Sequence, residues 1–363
     1  MTVNTVAILT GGGDCPGLNA VIRGIVRTAV LDYEWKVIGI EDGFDGLVGK
    51  PRVRPLGLED VRGILPRGGT ILGTSNRGNP FQYPVQRDGE VVLEDVSDQV
   101  LEHFSELGVS ALIAIGGDGT LKIAHQLGEK GVPVIGVPKT IDNDLSATDV
   151  TFGYHTAVSV VTEALDRLHT TAESHHRVIV VEVMGRDAGW IALESGIAGS
   201  ADVILIPEIP YRIDTVCQSI KQRSERGSRF SIVVVAEGAA PDGGGQTLQA
   251  DAVENLGVAR LGGVAHQVAS ELEQCLDMET RVVVLGHVQR GGSPSHTDRL
   301  LGTRFGVKAM AMVASGCWQQ MVALHGTSVV SVPLIDAVGK LNLVDPEGEL
   351  VNVAESLGIG MGR

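Results

Sequence analysis

Short apolar runs rich in valine, isoleucine and alanine recur along the chain, and glycines or polar residues close most of them. Their length and β-branched content are typical of buried strands, because an amphipathic helix needs a longer segment with wider spacing. We predict strands at residues 5–9, 36–40, 111–115, 132–137, 178–183, 203–206, 231–236, 281–285 and 321–324.

Between most of these runs the apolar residues recur at helical spacing, as Val21, Ile22, Ile25 and Val26 do. We predict helices at residues 19–30, 96–107, from 121, 154–168, around 190–191, 214–224, 256–272 and 297–313. The alternation of strand and helix predicts an α/β protein with mainly parallel, helix-flanked sheets. Residues 45–95 and the acidic C-terminal tail show no clear period, so we expect them to be less regular.

The composition narrows the class of protein. The chain has 363 residues, enough for two or three domains, with 48 glycines and only 4% aromatic residues. A formal net charge of -15 argues against nonspecific nucleic-acid binding and against attachment to an anionic membrane surface. A local basic pocket for a small anionic ligand stays compatible with this charge.

The four cysteines, Cys15, Cys217, Cys275 and Cys317, are widely spaced and form no C-x-x-C pair. We therefore predict free thiols, with neither a zinc site nor a disulfide framework. No apolar run approaches the roughly 20 residues that a membrane-spanning helix needs. The first residues also lack the charged start and apolar core of a signal peptide. The expected location is the cytoplasm, with no membrane partner.

Three predicted strands are followed by turns that could bind a phosphorylated ligand. Residues 11–17, the first glycine loop, join a strand to a helix, an arrangement that presents backbone N–H groups to phosphate. The sequence of this loop matches neither G-x-G-x-x-G nor the Walker pattern, so a tight turn without a ligand remains an alternative. Residues 116–120, the second glycine loop, contain Asp118, and a carboxylate beside a phosphate pocket indicates Mg²⁺.

The third turn contains Asp142, Asn143 and Asp144, preceded by Lys139 and Thr140. Taken alone, such a cluster is also typical of a surface turn. If the three strands are parallel, however, all three turns lie at one edge of one sheet, where open α/β sheets bind their ligands. In the second half, strands end in Met184-Gly185-Arg186, in Glu237, and in His287 with Arg290. These groups suit a phosphorylated sugar, because arginine binds phosphate and glutamate accepts hydrogen bonds from hydroxyls.

These motifs resemble those of the 6-phosphofructokinases over essentially the full chain. The matching segments are Gly12-Gly13-Asp14 and residues 16–20, 116–120, 140–144, 184–186 and 285–294. The resemblance implies two domains with the active site in the cleft between them. Residues 1–153 plus about 289–339 would bind ATP and Mg²⁺, and about 154–288 plus 340–363 would bind fructose 6-phosphate.

The resemblance also implies a role for each matching residue. Asp142 corresponds to the general base, Thr140 and Asp144 to residues that orient the sugar and the phosphate, and Asp118 to the Mg²⁺ ligand. The donor site would comprise Gly13, Phe44, Arg77, Gly117, Asp118, Gly119 and Thr120, with Phe44 flanking the adenine. The sugar site would comprise Thr140, Ile141, Asp142, Arg177, Met184, Gly185, Arg186, Glu237, Arg281, His287 and Arg290. Arg177 and Arg281 would reach a neighbouring subunit, which implies a homo-oligomer, a dimer or tetramer.

The phosphoryl donor depends on Gly119 and Lys139. ATP users of this family tend to have glycine at both positions, and pyrophosphate users tend to have aspartate and lysine. Gly119 leaves room for a nucleotide, and a clash rejects a ligand more firmly than an extra cation selects one, so we expect ATP. Pyrophosphate is the alternative donor, and a non-catalytic sensor that binds a sugar phosphate is the second alternative. In the expected reaction, a step of glycolysis, ATP phosphorylates fructose 6-phosphate to fructose 1,6-bisphosphate.

Overall fold

In a computed structural model, residues 4–87, 89–248 and 261–363 are described. The strands, in chain order, are β1 (Thr5–Thr10), β2 (Lys36–Ile40), β3 (Val53–Leu56), β4 (Tyr83–Arg87), β5 (Glu90–Glu94), β6 (Ala111–Gly116), β7 (Val134–Thr140), β8 (Phe152–Gly153), β9 (Val178–Val183), β10 (Val203–Leu205), β11 (Ser231–Ala236), β12 (Thr280–Val284), β13 (Gln320–His325) and β14 (Ser328–Pro333). The helices are α1 (Leu18–Asp32), α2 (Ser97–Glu106), α3 (Asp118–Glu129), α4 (Tyr154–His175), α5 (Trp190–Ala198), α6 (Ile213–Glu225), α7 (Val264–Cys275), α8 (His296–Ala314), α9 (Leu334–Ala337) and α10 (Glu349–Ser356).

The described residues divide into two compact units. Unit 1 comprises Met1–Ile141, Leu145–His155 and Arg290–Lys340, and unit 2 comprises Asp142–Asp144, Thr156–Gln289 and Leu341–Arg363. The short segment Asp142–Asp144 therefore belongs to unit 2, although the strand that precedes it in the chain belongs to unit 1.

Unit 1 is built on an eight-stranded sheet with the strand order β14-β13-β7-β6-β1-β2-β3, and β8 pairs with β7. The strands β2, β1, β6, β7 and β13 run parallel, and the outer strands β3 and β14 are antiparallel to their neighbours. The parallel strands are mainly apolar, as expected for strands covered on both faces. The first and second glycine loops follow β1 and β6, so both start at the same edge of this sheet.

Unit 2 contains a four-stranded, entirely parallel sheet with the order β10-β11-β9-β12. Its core includes Val180, Val233 and Leu272, packed between the sheet and helices α6 and α7. The predicted α/β class with mainly parallel, helix-flanked sheets is confirmed. None of the helices in the described part of the chain is long and apolar enough to cross a membrane.

The expectation that residues 45–95 and the C-terminal tail are less regular is confirmed only in part, because residues 57–79 contain no strand or helix but short strands and a helix occur elsewhere in these stretches. The stretch 45–95 contains β3 and the antiparallel hairpin β4–β5, and the C-terminal tail contains β14 and α10. Both β3 and β14 lie at edges of the large sheet, and strands that are only partly buried give a weak apolar pattern. The predicted helix at 256–272 begins at Val264 and ends at Cys275, and its predicted residues 256–260 lie outside the described residues.

The strand β7 also differs from its prediction, because it continues past residue 137 to Thr140. Pro138 normally indicates an edge strand or the end of a strand. Here it pairs with Gly116 of β6, and Lys139 pairs with Phe152 of β8. Lys139 and Thr140 are therefore buried strand residues and not part of a turn.

The prediction of four free thiols was wrong for one pair. Cys217 in α6 and Cys275 at the end of α7 form a disulfide, with their Cα atoms 6.3 Å apart. They are 58 residues apart in the chain, and only the packing of α6 against α7 brings them together. Cys15 and Cys317 are free thiols.

Candidate active site

The first glycine loop is held by side chains from three distant segments of unit 1. Its backbone turns sharply at Gly12, where φ is +78°, a conformation that favours glycine. Three successive carbonyl oxygens each accept a hydrogen bond: Gly12 O from Thr74 Oγ1 at 2.6 Å, Gly13 O from Lys139 Nζ, and Asp14 O from Arg290 Nη1 at 3.2 Å. The Arg290 guanidinium covers Gly13 so closely that a Cβ there would lie 2.6 Å from Nη1.

The second glycine loop passes into the N-terminus of α3. Thr120 is buried against the first loop, and a Cβ at Gly11 or at Gly116 would lie 2.6 Å from its Oγ1. Both glycines are therefore required by the packing around Thr120. A Cβ at Gly119, in contrast, would meet no atom within 4 Å. The protein itself leaves space at position 119, so any restriction on a side chain there must come from a ligand.

Asp118, the predicted Mg²⁺ ligand, is the first residue of α3, and its Oδ1 accepts a hydrogen bond of 2.8 Å from Gly339 N. In the described residues no group of three or more His, Cys, Asp or Glu side chains is arranged to hold a metal ion. A single carboxylate still fits Mg²⁺, which is commonly held by one or two carboxylates together with the phosphates of a substrate.

The chain leaves unit 1 at the end of β7. Lys139 is only 4% exposed, and the Thr140 carbonyl accepts a hydrogen bond of 2.8 Å from Thr151 Oγ1. Ile141 is fully buried. The buried backbone before Asp142 is thus fixed by strand pairing and by Thr151.

Asp142 itself is 3% exposed in unit 2. The next residue, Asn143, adopts φ +53°, a left-handed conformation that asparagine tolerates better than most residues. Asn342 holds this segment at two successive carbonyl groups. Its Nδ2 donates to Asn143 O and its backbone N donates to Asp144 O, both at 2.9 Å. The indole of Trp190 in turn donates to Asn342 O at 2.8 Å.

The residues after β9 form a strained turn. Gly185 has φ +146°, and a Cβ there would lie 2.5 Å from Ala188 O, so only glycine fits. Arg186 has φ +53°, which is costly for an arginine. Its backbone N donates to Glu237 Oε1 at 3.1 Å, and Met184 N donates to Gln289 Oε1 at 3.3 Å. Strain of this kind is typical of ligand-binding turns, where surrounding contacts maintain it.

Glu237 follows β11 and has an unusual protonation equilibrium. The pKa of its carboxyl is raised from 4.5 to about 7, mainly by burial. The negative charge of Asp142 adds to this rise, and backbone hydrogen bonds from Arg186 and Gly185 oppose it. The predicted base and the predicted sugar ligand are therefore electrostatically coupled within unit 2. Shifted carboxyl groups of this kind concentrate at functional sites.

Arg177 and Arg281 share one carboxylate in this chain, because both donate to Glu279. Their hydrogen bonds and charges hold the pKa of Glu279 below its usual range, with the Arg177 hydrogen bond as the largest cause. The structure therefore brings the two arginines together at the start of β12, an edge strand of the unit 2 sheet.

His287 is exposed in the short 3₁₀ turn Gly286–Gln289 that follows β12.

Two predicted donor-site residues, Phe44 and Arg77, lie in surroundings that could not be inferred from the sequence. Phe44 is 4% exposed and belongs to the hydrophobic core of unit 1, together with Leu47 and Leu121. Arg77 is exposed, whereas Oδ1 of its neighbour Asn76 points toward Gly12, 3.9 Å from where a Cβ would lie. The roles of Phe44 and Arg77 stay predictions.

Sequence reasoning missed several residues that support the site. Thr74, Gln289 and Asn342 act through side-chain hydrogen bonds that join segments far apart in the chain, and no local pattern indicates them. Glu182 could have been found, because it is an acid within the apolar run 178–183. It is 3% exposed, and its carboxylate accepts hydrogen bonds from Gly263 N and Ala265 N at the N-terminus of α7.

Comparison with known proteins identifies the family. The family model described as Phosphofructokinase matches residues 5–313. The chain is 55% identical over 359 residues to ATP-dependent 6-phosphofructokinase 2 of Clostridium perfringens, covering 98% of each protein. It is 54% identical over 342 residues to pyrophosphate--fructose 6-phosphate 1-phosphotransferase of Streptomyces coelicolor, covering 94% of this chain and 96% of that protein.

Among solved structures, phosphofructokinase from Saccharomyces cerevisiae superposes with a TM-score of 0.78 at 33% identity. The match covers 92% of this chain but 44% of the yeast chain, so this chain spans less than half of that longer protein. The family match over most of the chain and the identity to full-length relatives agree with the motifs at the ends of β1, β6, β7, β9 and β11. The chain belongs to the phosphofructokinase family.

Proposed function

We propose that this chain is an ATP-dependent 6-phosphofructokinase of glycolysis, acting in the cytoplasm. It transfers the γ-phosphoryl group of ATP to the 1-hydroxyl of fructose 6-phosphate and yields fructose 1,6-bisphosphate and ADP. The observation that carries the proposal is the environment of Asp142. This carboxylate is buried, its segment is fixed by Asn342, and its charge acts on Glu237.

Phosphoryl transfer requires a base near the nucleophile, precise positioning of the two reactants, and cations close to the negatively charged phosphate oxygens. Asp142 takes the proton of the sugar 1-hydroxyl while that oxygen bonds to the γ-phosphorus. The bond from the γ-phosphorus to the bridging oxygen breaks, and ADP leaves. Thr140 and Asp144 orient the two reactants. Mg²⁺ held by Asp118 would neutralise charge on the phosphate oxygens.

The other assigned residues bind the two substrates. Gly13, Gly117, Gly119 and Thr120 of the glycine loops, with Phe44 and Arg77, are assigned to ATP. Ile141, Met184, Gly185, Arg186, Glu237, His287 and Arg290 are assigned to fructose 6-phosphate. A homo-oligomer places Arg177 and Arg281 in the site of a neighbouring subunit. Light scattering on the purified protein measures the size of that assembly.

ATP is favoured as the donor by position 119. Several relatives named for ATP use match at 53–55% identity over 98% of this chain, and several relatives named for pyrophosphate use match at 51–54% over 94%. The open space at Gly119 leaves room for a nucleotide. Lys139 is the feature that keeps pyrophosphate as a second candidate donor, because a buried cation suits either phosphate. Coupled assays with ATP and with pyrophosphate on the same preparation decide between the two donors.

The variant Asp142→Asn tests the catalytic assignment against a non-catalytic sensor. Asparagine keeps the size of the side chain but cannot accept the proton, so turnover should fall by about 10²- to 10⁴-fold. Binding of fructose 6-phosphate, measured by calorimetry, should persist. The control is Asp214→Asn on the exposed surface of α6, which should leave turnover unchanged. Full turnover in Asp142→Asn would contradict the proposed role.

A further inference from the structure

Three side chains hold the first glycine loop by donating hydrogen bonds to successive backbone carbonyl oxygens. Thr74, Lys139 and Arg290 donate to the carbonyl oxygens of Gly12, Gly13 and Asp14, one donor to each carbonyl. In a trans peptide the carbonyl of one residue and the N–H of the next point in opposite directions. Fixing three successive carbonyls therefore also fixes the directions of the next three N–H groups, those of Gly13, Asp14 and Cys15.

We propose that Thr74, Lys139 and Arg290 are positioning residues that together orient these N–H groups toward the terminal phosphate of the phosphoryl donor. A row of successive backbone N–H groups is an effective anion-binding concavity. The proposal rests on the proposed function, since it takes the loop to be part of the donor site. It adds that the Lys139 ammonium and the Arg290 guanidinium act through the loop backbone.

This arrangement has a consequence for donor choice. The terminal phosphate is chemically alike in ATP and pyrophosphate, so a well-oriented loop serves both donors equally. Removing the hydrogen bond of Thr74 or of Lys139 should raise KM for both donors by the same factor and leave KM for fructose 6-phosphate unchanged. Arg290 is kept in these variants, because it is also assigned to the sugar site. If Lys139 instead selects a donor by direct contact, removing its charge should change the ratio of the two activities.

Cys15 provides an independent reporter of loop position. Its side chain is completely buried, its Sγ donates to Phe152 O at 3.6 Å, and Gly153 leaves no free space beside it. Alkylation of this thiol therefore requires the loop to open. Cys217 and Cys275 form a disulfide, and Cys317 is the other free thiol, on a separate peptide that mass spectrometry distinguishes.

The matched pair Thr74→Val and Thr74→Ser tests the proposal. Valine has the shape of threonine without the hydroxyl, so the Cys15 alkylation rate by iodoacetamide and KM for ATP should each rise by about 3- to 10-fold, the value of one hydrogen bond. Serine keeps the donor and should restore both values. Lys139→Met should give the same rise in alkylation with an unchanged ratio of ATP to pyrophosphate activity.

The outcomes separate this proposal from the proposed function. Alkylation measures the loop without any turnover, so a protein inactive with both donors overturns the proposed function while the thiol result still stands. An active kinase in which Thr74→Val leaves the alkylation rate unchanged overturns the positioning role. A changed donor ratio in Lys139→Met overturns the inference that Lys139 acts through the loop.

Discussion

Replacing Glu237 with glutamine removes a carboxyl group whose pKa burial raises from 4.5 to about 7. Glutamine has nearly the same shape, and its oxygen can still accept the hydrogen bond that Arg186 N donates to Glu237. The variant therefore removes the titration and keeps the local packing. What changes is how the free energy of unfolding depends on pH.

The sign of this dependence follows from the raised pKa. Below pH 4.5 Glu237 is protonated in both the folded and the unfolded chain and contributes no pH dependence. As the pH rises toward about 7, the unfolded chain ionises first, so the folded wild type loses stability, and the loss levels off above about pH 7. At about 1.4 kcal/mol for each pH unit, the full loss is about 3 kcal/mol. Between about pH 5 and about pH 8, Glu237→Gln should gain about 2.5 kcal/mol relative to wild type.

Urea unfolding of the ligand-free protein measures this difference. Trp190 lies in unit 2, so its fluorescence in a Trp35→Phe, Trp318→Phe background reports the unit that contains Glu237. Glu225→Gln, at the exposed end of α6, is the matched control for the loss of a carboxyl group outside the site. A constant difference between Glu237→Gln and its parent across this pH range would show that Glu237 titrates as an ordinary surface glutamate, and the reasoning from burial would fail.

Two further predictions concern the donor site and the support of α7. Gly119→Asp should keep the melting temperature of the wild type, because a side chain at position 119 meets no other atom of the protein. Its kcat/KM for ATP should fall about 100-fold, since contact between the new carboxylate and the phosphates costs several kcal/mol. Gly119→Asn controls for the size of the side chain, and retained ATP activity in Gly119→Asp would contradict the argument. Glu182→Gln should lower the free energy of unfolding by about 1–3 kcal/mol. Its amide keeps one acceptor oxygen but loses the negative charge at the N-terminus of α7, and its NH2 group cannot accept the hydrogen bond that Gly263 N donates to the second carboxylate oxygen. Urea unfolding read at Trp190 measures this loss, and an unchanged midpoint would show that the buried carboxylate does not support α7.

Much of the fold could be predicted because its signals are local. A run such as Val178–Val183 is apolar at every position but one, and α1 buries residues at helical spacing, so period and length separate strand from helix. The prediction failed where burial is partial. The edge strands β3 and β14 expose part of their side chains, and their apolar pattern is correspondingly weak.

The candidate site was predictable in part for the same reason. Gly13, Asp118 and Glu237 lie at the ends of strands, where ordinary turn rules and the order of elements place them. The side chains that fix these turns were not predictable, because Thr74, Gln289 and Asn342 meet their partners across long stretches of chain. Glu182 is the exception, since an acid in an apolar strand indicates a buried partner.

The sequence by itself determined the order of strands and helices, the glycine loops at strand ends and the residue types available for phosphate chemistry. These depend on hydrophobic period and backbone conformation, which act over a few residues. The tertiary structure alone decided that Cys217 bonds Cys275, that three separate segments hold the first glycine loop, and that burial beside Asp142 brings the pKa of Glu237 to about 7. Hydrogen bonding between distant segments and the loss of solvent around a charge both depend on which segments pack together.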